Sequence, residues 1–121
     1  MTKILVVEDN DLNMELELEI VDSMGFRAHG AADGKKAVEM AQKETYDLII
    51  MDIELTDMNG IEAARMIRNI PGYKNTPMIA VTAFAMKGDR ERFLSSGFND
   101  YVEKPIDVQA FIKVLGKYKK V

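Results

Sequence analysis

The chain has 121 residues, 47% hydrophobic and 30% charged, which suits one globular domain and excludes a disordered polypeptide. Lys+Arg 16 against Asp+Glu 20 leaves a net charge of −4, so the non-specific grip on nucleic acid that a basic domain has is missing. With no cysteine, disulfides, thiolate metal sites and thiol catalysis are excluded, and the apolar runs are far too short for a membrane span. The expectation is a small, acidic, cytoplasmic single domain over residues 1–121, with no nucleic-acid partner and no membrane insertion.

The first apolar run, Ile4-Leu5-Val6-Val7, predicts a buried strand that passes directly into Glu8-Asp9. Leu12 to Met24 follows, and its Leu12, Met14, Leu16, Leu18 and Ile20 alternate with polar residues as a strand would. Its length, its Leu/Met/Glu content, the Asn10-Asp11 cap and Gly25 nevertheless predict a helix. The apolar face of that helix is wider than core packing needs, and Leu16 or Leu18 is expected to stay exposed and receive a partner.

Arg27 to Ala31 is a weaker strand candidate carrying His29, the one histidine, which is expected at the surface or sheet edge. Asp33-Gly34 opens a helix with Ala37, Val38 and Ala41 inward; Leu48-Ile49-Ile50-Met51 is the next strand and ends at Asp52. Asn59-Gly60 opens a helix carrying Ile61, Ala64, Ile67 and Ile70, stopped by Pro71-Gly72. Met78-Ile79-Ala80-Val81 ends at Thr82. Lys87 to Ser96 reads as a helix with Phe93 and Leu94 inward, Lys87, Arg90 and Arg92 on a solvated face, and Gly97 as its break. Asp100 to Val102 is a short strand before Lys104-Pro105. Asp107 then caps a helix whose Val108, Phe111, Ile112 and Leu115 follow the i, i+3, i+4, i+7 rule. The nine methionines are expected to fill core gaps. Five βα repeats predict an α/β sheet with right-handed crossovers.

Ligands of such sheets bind beyond the carboxyl ends of the strands. There the sequence places Glu8, Asp9, Asp52, Thr82 and Lys104. Carboxylates without His or Cys suit a hard cation such as Mg²⁺. Without a cation the three carboxylates would repel one another. A carboxylate can attack phosphorus to give an acyl phosphate, a transfer that needs charge neutralised on the phosphoryl oxygens. A metal and a Lys point charge do that, and the Thr82 hydroxyl can donate to the transferred group.

Over its whole length the chain resembles a response-regulator receiver domain. The resemblance rests on VVEDN at residues 6–10, IIMDI at 49–53, AVTAF at 80–84, YVEKPI at 101–106, and Gly60 eight residues after Asp52. It implies a doubly wound, five-stranded parallel sheet of flavodoxin-like order 2-1-3-4-5 with helices on both faces. It implies that Asp52 is the phosphoacceptor, assisted by Thr82 and Lys104. Glu8 (directly or through water), Asp9, Asp52 and the backbone carbonyl of Glu54 would hold Mg²⁺. Lys104-Pro105 would be cis, and Tyr101 would be the switch aromatic that turns inward as Thr82 moves toward the phosphate. Glu54 and Phe84 occupy positions that tune phosphoryl lifetime in the family. One departure stands out: the usual proline four residues after the acceptor is Thr56 here.

The implied partners are a histidine kinase or histidine phosphotransfer protein as donor and a downstream protein as target. The sequence leaves open a phosphorylation-linked dimer. The chain would catalyse only its own phosphorylation and dephosphorylation, as a stand-alone receiver in a two-component phosphorelay. AVTAFAMKGDRERF is especially similar to receivers of hybrid histidine kinases. Two rivals have other chemistry. Asp52-Ile53-Glu54-Leu55-Thr56 loosely resembles the nucleophile motif of haloacid-dehalogenase-like phosphatases, with Asp52 as nucleophile, but the acidic pair precedes it. A flavodoxin-like electron carrier would share the fold, but no hydroxyl-rich phosphate loop follows the first strand and there is no Trp to stack on a flavin.

Overall fold

The apolar runs become strands buried along nearly their whole length, because a parallel sheet is covered by helices on both faces. The computed structural model describes residues 2–84 and 89–119; the expected helix start at Lys87, and the Arg90 side chain, lie outside the described residues. The elements are β1 (Lys3–Val7), α1 (Asp11–Ser23), β2 (Arg27–Ala31), α2 (Gly34–Lys43) and β3 (Leu48–Asp52), then α3 (Gly60–Arg68), β4 (Met78–Thr82), α4 (Asp89–Ser95), β5 (Asp100–Glu103) and α5 (Val108–Gly116). All four strand pairings are parallel and the order is β2-β1-β3-β4-β5.

Strand alternation divides the core into two layers. Leu5, Val7, Ile49, Met51, Met78 and Ala80 pack with Ala37 and Ala41 of α2, Ala64 and Ile67 of α3, and Phe93 of α4. Ile4, Val6, Leu48, Ile50, Ile79 and Val81 pack with Ile20 and Val21 of α1 and Phe111 and Leu115 of α5. β2 pairs on one side only, which is why its sequence carries so little apolar signal. His29 lies on it, half-buried, its Nδ1 2.9 Å from the Tyr46 hydroxyl.

Four helix starts are capped by the residues that the sequence marks. Asn10, Asp33, Asn59 and Asp107 accept from the backbone N–H of Asn13, Lys36, Ile61 and Ala110 respectively. A further cap is not local. The Asp57 carboxylate, from the β3–α3 loop, accepts from Gly34 N and Lys35 N, both at 3.0 Å, at the start of α2. Those bonds, that to Gly34 first, hold its pKa below the usual carboxylate value.

The helix faces correct three expectations. On α1 the buried residues are Glu17, Ile20 and Val21, a stripe at helical spacing whose centre is a carboxyl. Leu16 and Leu18 flank that stripe and are half-buried against the core, and the exposed leucine is Leu12, at 77%. On α4 Phe93 is buried while Leu94 is 44% exposed, since neighbours on a helix point about 100° apart and cannot share one face. On α5 Phe111 and Leu115 are buried and Val108 lies open at the first turn. Among the described residues no helix is long and apolar enough to cross a membrane.

Candidate functional site

Register brings the strand ends together. Val7 pairs with Met51, so the next residues, Glu8 and Asp52, lie side by side at the carboxyl edge. Both share the parity of the α1/α5 layer. Glu8 is 1% exposed and Asp52 0%, while Asp9 is half-buried. One carboxylate oxygen from each of the three lies within 4.8 Å of the others. Lys104, delivered by the cis Lys104-Pro105 peptide after β5, places its Nζ 3.2 Å from Glu8 Oε1 and 3.0 Å from Asp52 Oδ2. Four of the expected site residues are thus one constellation.

Its electrostatics are unbalanced. Burial, reinforced by the neighbouring Glu8 carboxyl, pushes the Asp52 pKa up to about 6 against the opposing pull of Lys104. Burial works to lower Lys104, but the Asp52 and Glu8 carboxylates outweigh it and hold the ammonium above its ordinary value. Among the described residues, the Lys104 ammonium is the compensating partner of Asp52 Oδ2 and Glu8 Oε1. Three carboxylates face one ammonium. An all-oxygen donor set with surplus negative charge, its buried oxygens sharing a single ammonium, fits a small hard divalent cation.

The surrounding loops pin these carboxylates. Glu54 N donates to Asp52 Oδ1 at 3.0 Å, and Asn10 N to Glu8 Oε2 at 3.3 Å. Thr56 N donates to Asp9 Oδ2 at 2.9 Å, a bond that a proline at this position could not make. The departure from the family pattern therefore supplies a donor to the acidic cluster. Gly60 lies so close beneath the strand end that a Cβ there would come within 2.2 Å of the Asp52 carbonyl oxygen; its N–H donates to Ile53 O at 2.8 Å.

Thr82 is fully buried at the end of β4, with the parity of the opposite core layer. Its hydroxyl donates to Glu54 Oε2 at 2.6 Å, and Ala83 N donates to Glu54 Oε1 at 2.8 Å. Tyr101 is half-buried on β5, its ring 5.9 Å from that of Phe93. Two side-chain contacts of the site are not expected from the sequence, which marks Glu54 only for its backbone carbonyl and its place two residues after Asp52. Glu54 bridges to Thr82 across 28 residues, beyond any local pattern. Glu17 was legible only by choosing helical spacing over the alternation of Leu12 to Ile20; its 0% exposed carboxyl meets Glu8 from the α1 side.

Known proteins place this geometry. CheY4, a Vibrio cholerae chemotaxis protein, superposes with a TM-score of 0.91 at 27% identity, covering 98% of this chain and 99% of that one. The receiver domain of a Pseudomonas aeruginosa sensor histidine kinase, solved with a magnesium ion coordinated in its active-site cleft, superposes with a TM-score of 0.86 at 38% identity, covering 97% of this chain and 96% of that one. The polar-differentiation response regulator DivK of Brucella ovis is 40% identical over 119 residues, 98% of this chain and 97% of that protein. None of these similarities supports the phosphatase alternative. The model of the response regulator receiver domain matches residues 4–116, and the chain belongs to that family.

Proposed function

We propose that the protein is a phosphorylation-operated binding module in two-component signalling. Asp52 accepts a phosphoryl group from the phosphohistidine of a histidine kinase or histidine phosphotransfer protein. The observation that carries this reading is the buried Asp52 carboxylate, 3.0 Å from Lys104 Nζ and grouped with Glu8 and Asp9 at the sheet's carboxyl edge. An Asp52 oxygen attacks phosphorus, the P–N bond breaks with its electron pair returning to the imidazole, and an acyl phosphate forms. Lys104 offers a fixed positive charge to the phosphoryl oxygens, and the Thr82 hydroxyl and Ala83 N–H offer hydrogen bonds. Water later cleaves the acyl phosphate and resets the domain.

Glu8 (directly or through water), Asp9, Asp52 and the Glu54 backbone carbonyl would hold Mg²⁺, the ion seen in the Pseudomonas aeruginosa receiver. When bound, the ion neutralises charge on the transferring group. Movement of Thr82 and inward rotation of Tyr101 then bias the α4, β5 and α5 face between two states, changing its affinity for a downstream protein. The site of action on this reading is the cytoplasm, with residues 1–121 acting as one receiver unit. Incubation with acetyl phosphate and Mg²⁺ tests it by intact mass. Wild type should gain one slowly decaying phosphoryl group and Asp52→Asn none; no adduct on folded wild type overturns the reading.

A further inference from the structure

We propose that the Glu54 carboxylate is a built-in competitor for the phosphoryl group, holding in the resting protein the same two donors that a phosphorylated Asp52 must recruit. The inference rests on the reading of Asp52 given above. Its basis is one fork: Glu54 Oε2 takes the Thr82 hydroxyl at 2.6 Å and Glu54 Oε1 takes Ala83 N at 2.8 Å. Both bonds run to an ionised acceptor and are therefore of the stronger kind. Geometrically a carboxylate fork and a pair of phosphoryl oxygens ask the same of two adjacent donors.

The Thr82 hydroxyl has one proton to give. Its oxygen already accepts from Phe84 N at 3.1 Å, so the chain Phe84 N–H to Thr82 O–H to Glu54 carboxylate has a set direction. A phosphoryl oxygen can gain that proton only if Glu54 loses it. Thr82 is fully buried, so its hydroxyl is costly to leave unpaired in between, and the exchange favours two discrete arrangements. Glu54 is also tied to the acceptor itself, its N–H donating to Asp52 Oδ1 at 3.0 Å. Charge arriving on Asp52 thus meets a residue whose backbone is bound to Asp52 and whose like-charged side chain holds the end of β4. Binding of any phosphoryl-like group is weakened by the fraction of molecules in which Glu54 keeps the donors.

The experiment uses beryllofluoride with Mg²⁺, a non-covalent stand-in for the phosphoryl group, on wild type, Glu54→Ala, Glu54→Asp and Glu54→Gln. Amide spectra establish that each variant is folded. Apparent affinity should rise about tenfold in Glu54→Ala, equivalent to ~1.4 kcal/mol. Glu54→Asp should match Glu54→Ala, because the shorter chain keeps the charge and loses the reach. Glu54→Gln, which keeps one acceptor oxygen, should fall between. In the ligand-free variants the Ala83 amide proton should move upfield as its carboxylate partner is lost. Unchanged affinity and an unmoved Ala83 amide in Glu54→Ala overturn the proposal, as does Glu54→Asp behaving like wild type. If folded wild type takes up neither beryllofluoride nor acetyl phosphate, the Asp52 reading itself falls, and this proposal with it.

Discussion

At the scale of single residues, Glu17 is a carboxyl buried at a cost to stability. Its carboxyl is 0% exposed and, among the described residues, neither oxygen has a donor. Burial, with Glu8 and Asp52 adding to it and Lys104 opposing, pushes its pKa up to about 9 from the ordinary 4.5. Between those values the folded state binds a proton that the unfolded state has released, so Glu17 makes stability fall as pH rises through that window. Glu17→Leu should therefore raise unfolding free energy by about 2 kcal/mol at pH 8, with a smaller gain at pH 5, in urea titrations without added cation. Parallel loss of stability by both proteins between those pH values would contradict this origin of the slope.

Elements meet this site through close backbone approaches. α3 starts at Gly60 because Asn59 caps it, but its position against β3 is set by the missing side chain, since an added Cβ would meet Asp52 O and Ile53 Cα. Gly60→Ala should cost about 2–3 kcal/mol, as overpacking against backbone that cannot yield without moving the strand end. It should also weaken Mn²⁺ binding titrated at neutral pH, because Asp52 sits on that strand end. A stability loss with metal affinity intact would mean that α3 shifts instead of β3. The β3–α3 loop further ties two other elements: Asp57 caps α2 and Thr56 N–H holds Asp9 after β1.

For the molecule as a whole, the proposed function makes Lys104 the residue where phosphorylation and signalling separate. It is one cation shared by Glu8 and Asp52, and it hangs from β5, the strand that also carries Tyr101. Lys104→Ala should still accept phosphate from acetyl phosphate, at a rate reduced roughly a hundredfold, the order expected for losing one charge-stabilising contact in a transfer. It should lose most phosphorylation-dependent binding of the downstream partner, measured by titration of labelled protein. Partner binding that responds normally to phosphorylation would separate Lys104 from the switch.

The same scale shows what was legible from residues alone. Local physics determined the strand runs, the helix caps at Asn10, Asp33, Asn59 and Asp107, and the chemistry at the strand ends, because backbone periodicity and capping act within a few residues. The topology then made those ends converge, and Glu8, Asp9, Asp52 and Lys104 met as their types implied. Only the tertiary structure decided the rest. The polar face of α1 at Glu17 turned inward because Ile20 and Val21 fix the helix rotation. The Glu54 carboxylate found Thr82, and the Thr56 N–H found Asp9, across 28 and 47 residues. Those partners are chosen by parallel register and loop packing, and such choices leave no periodic trace in the chain.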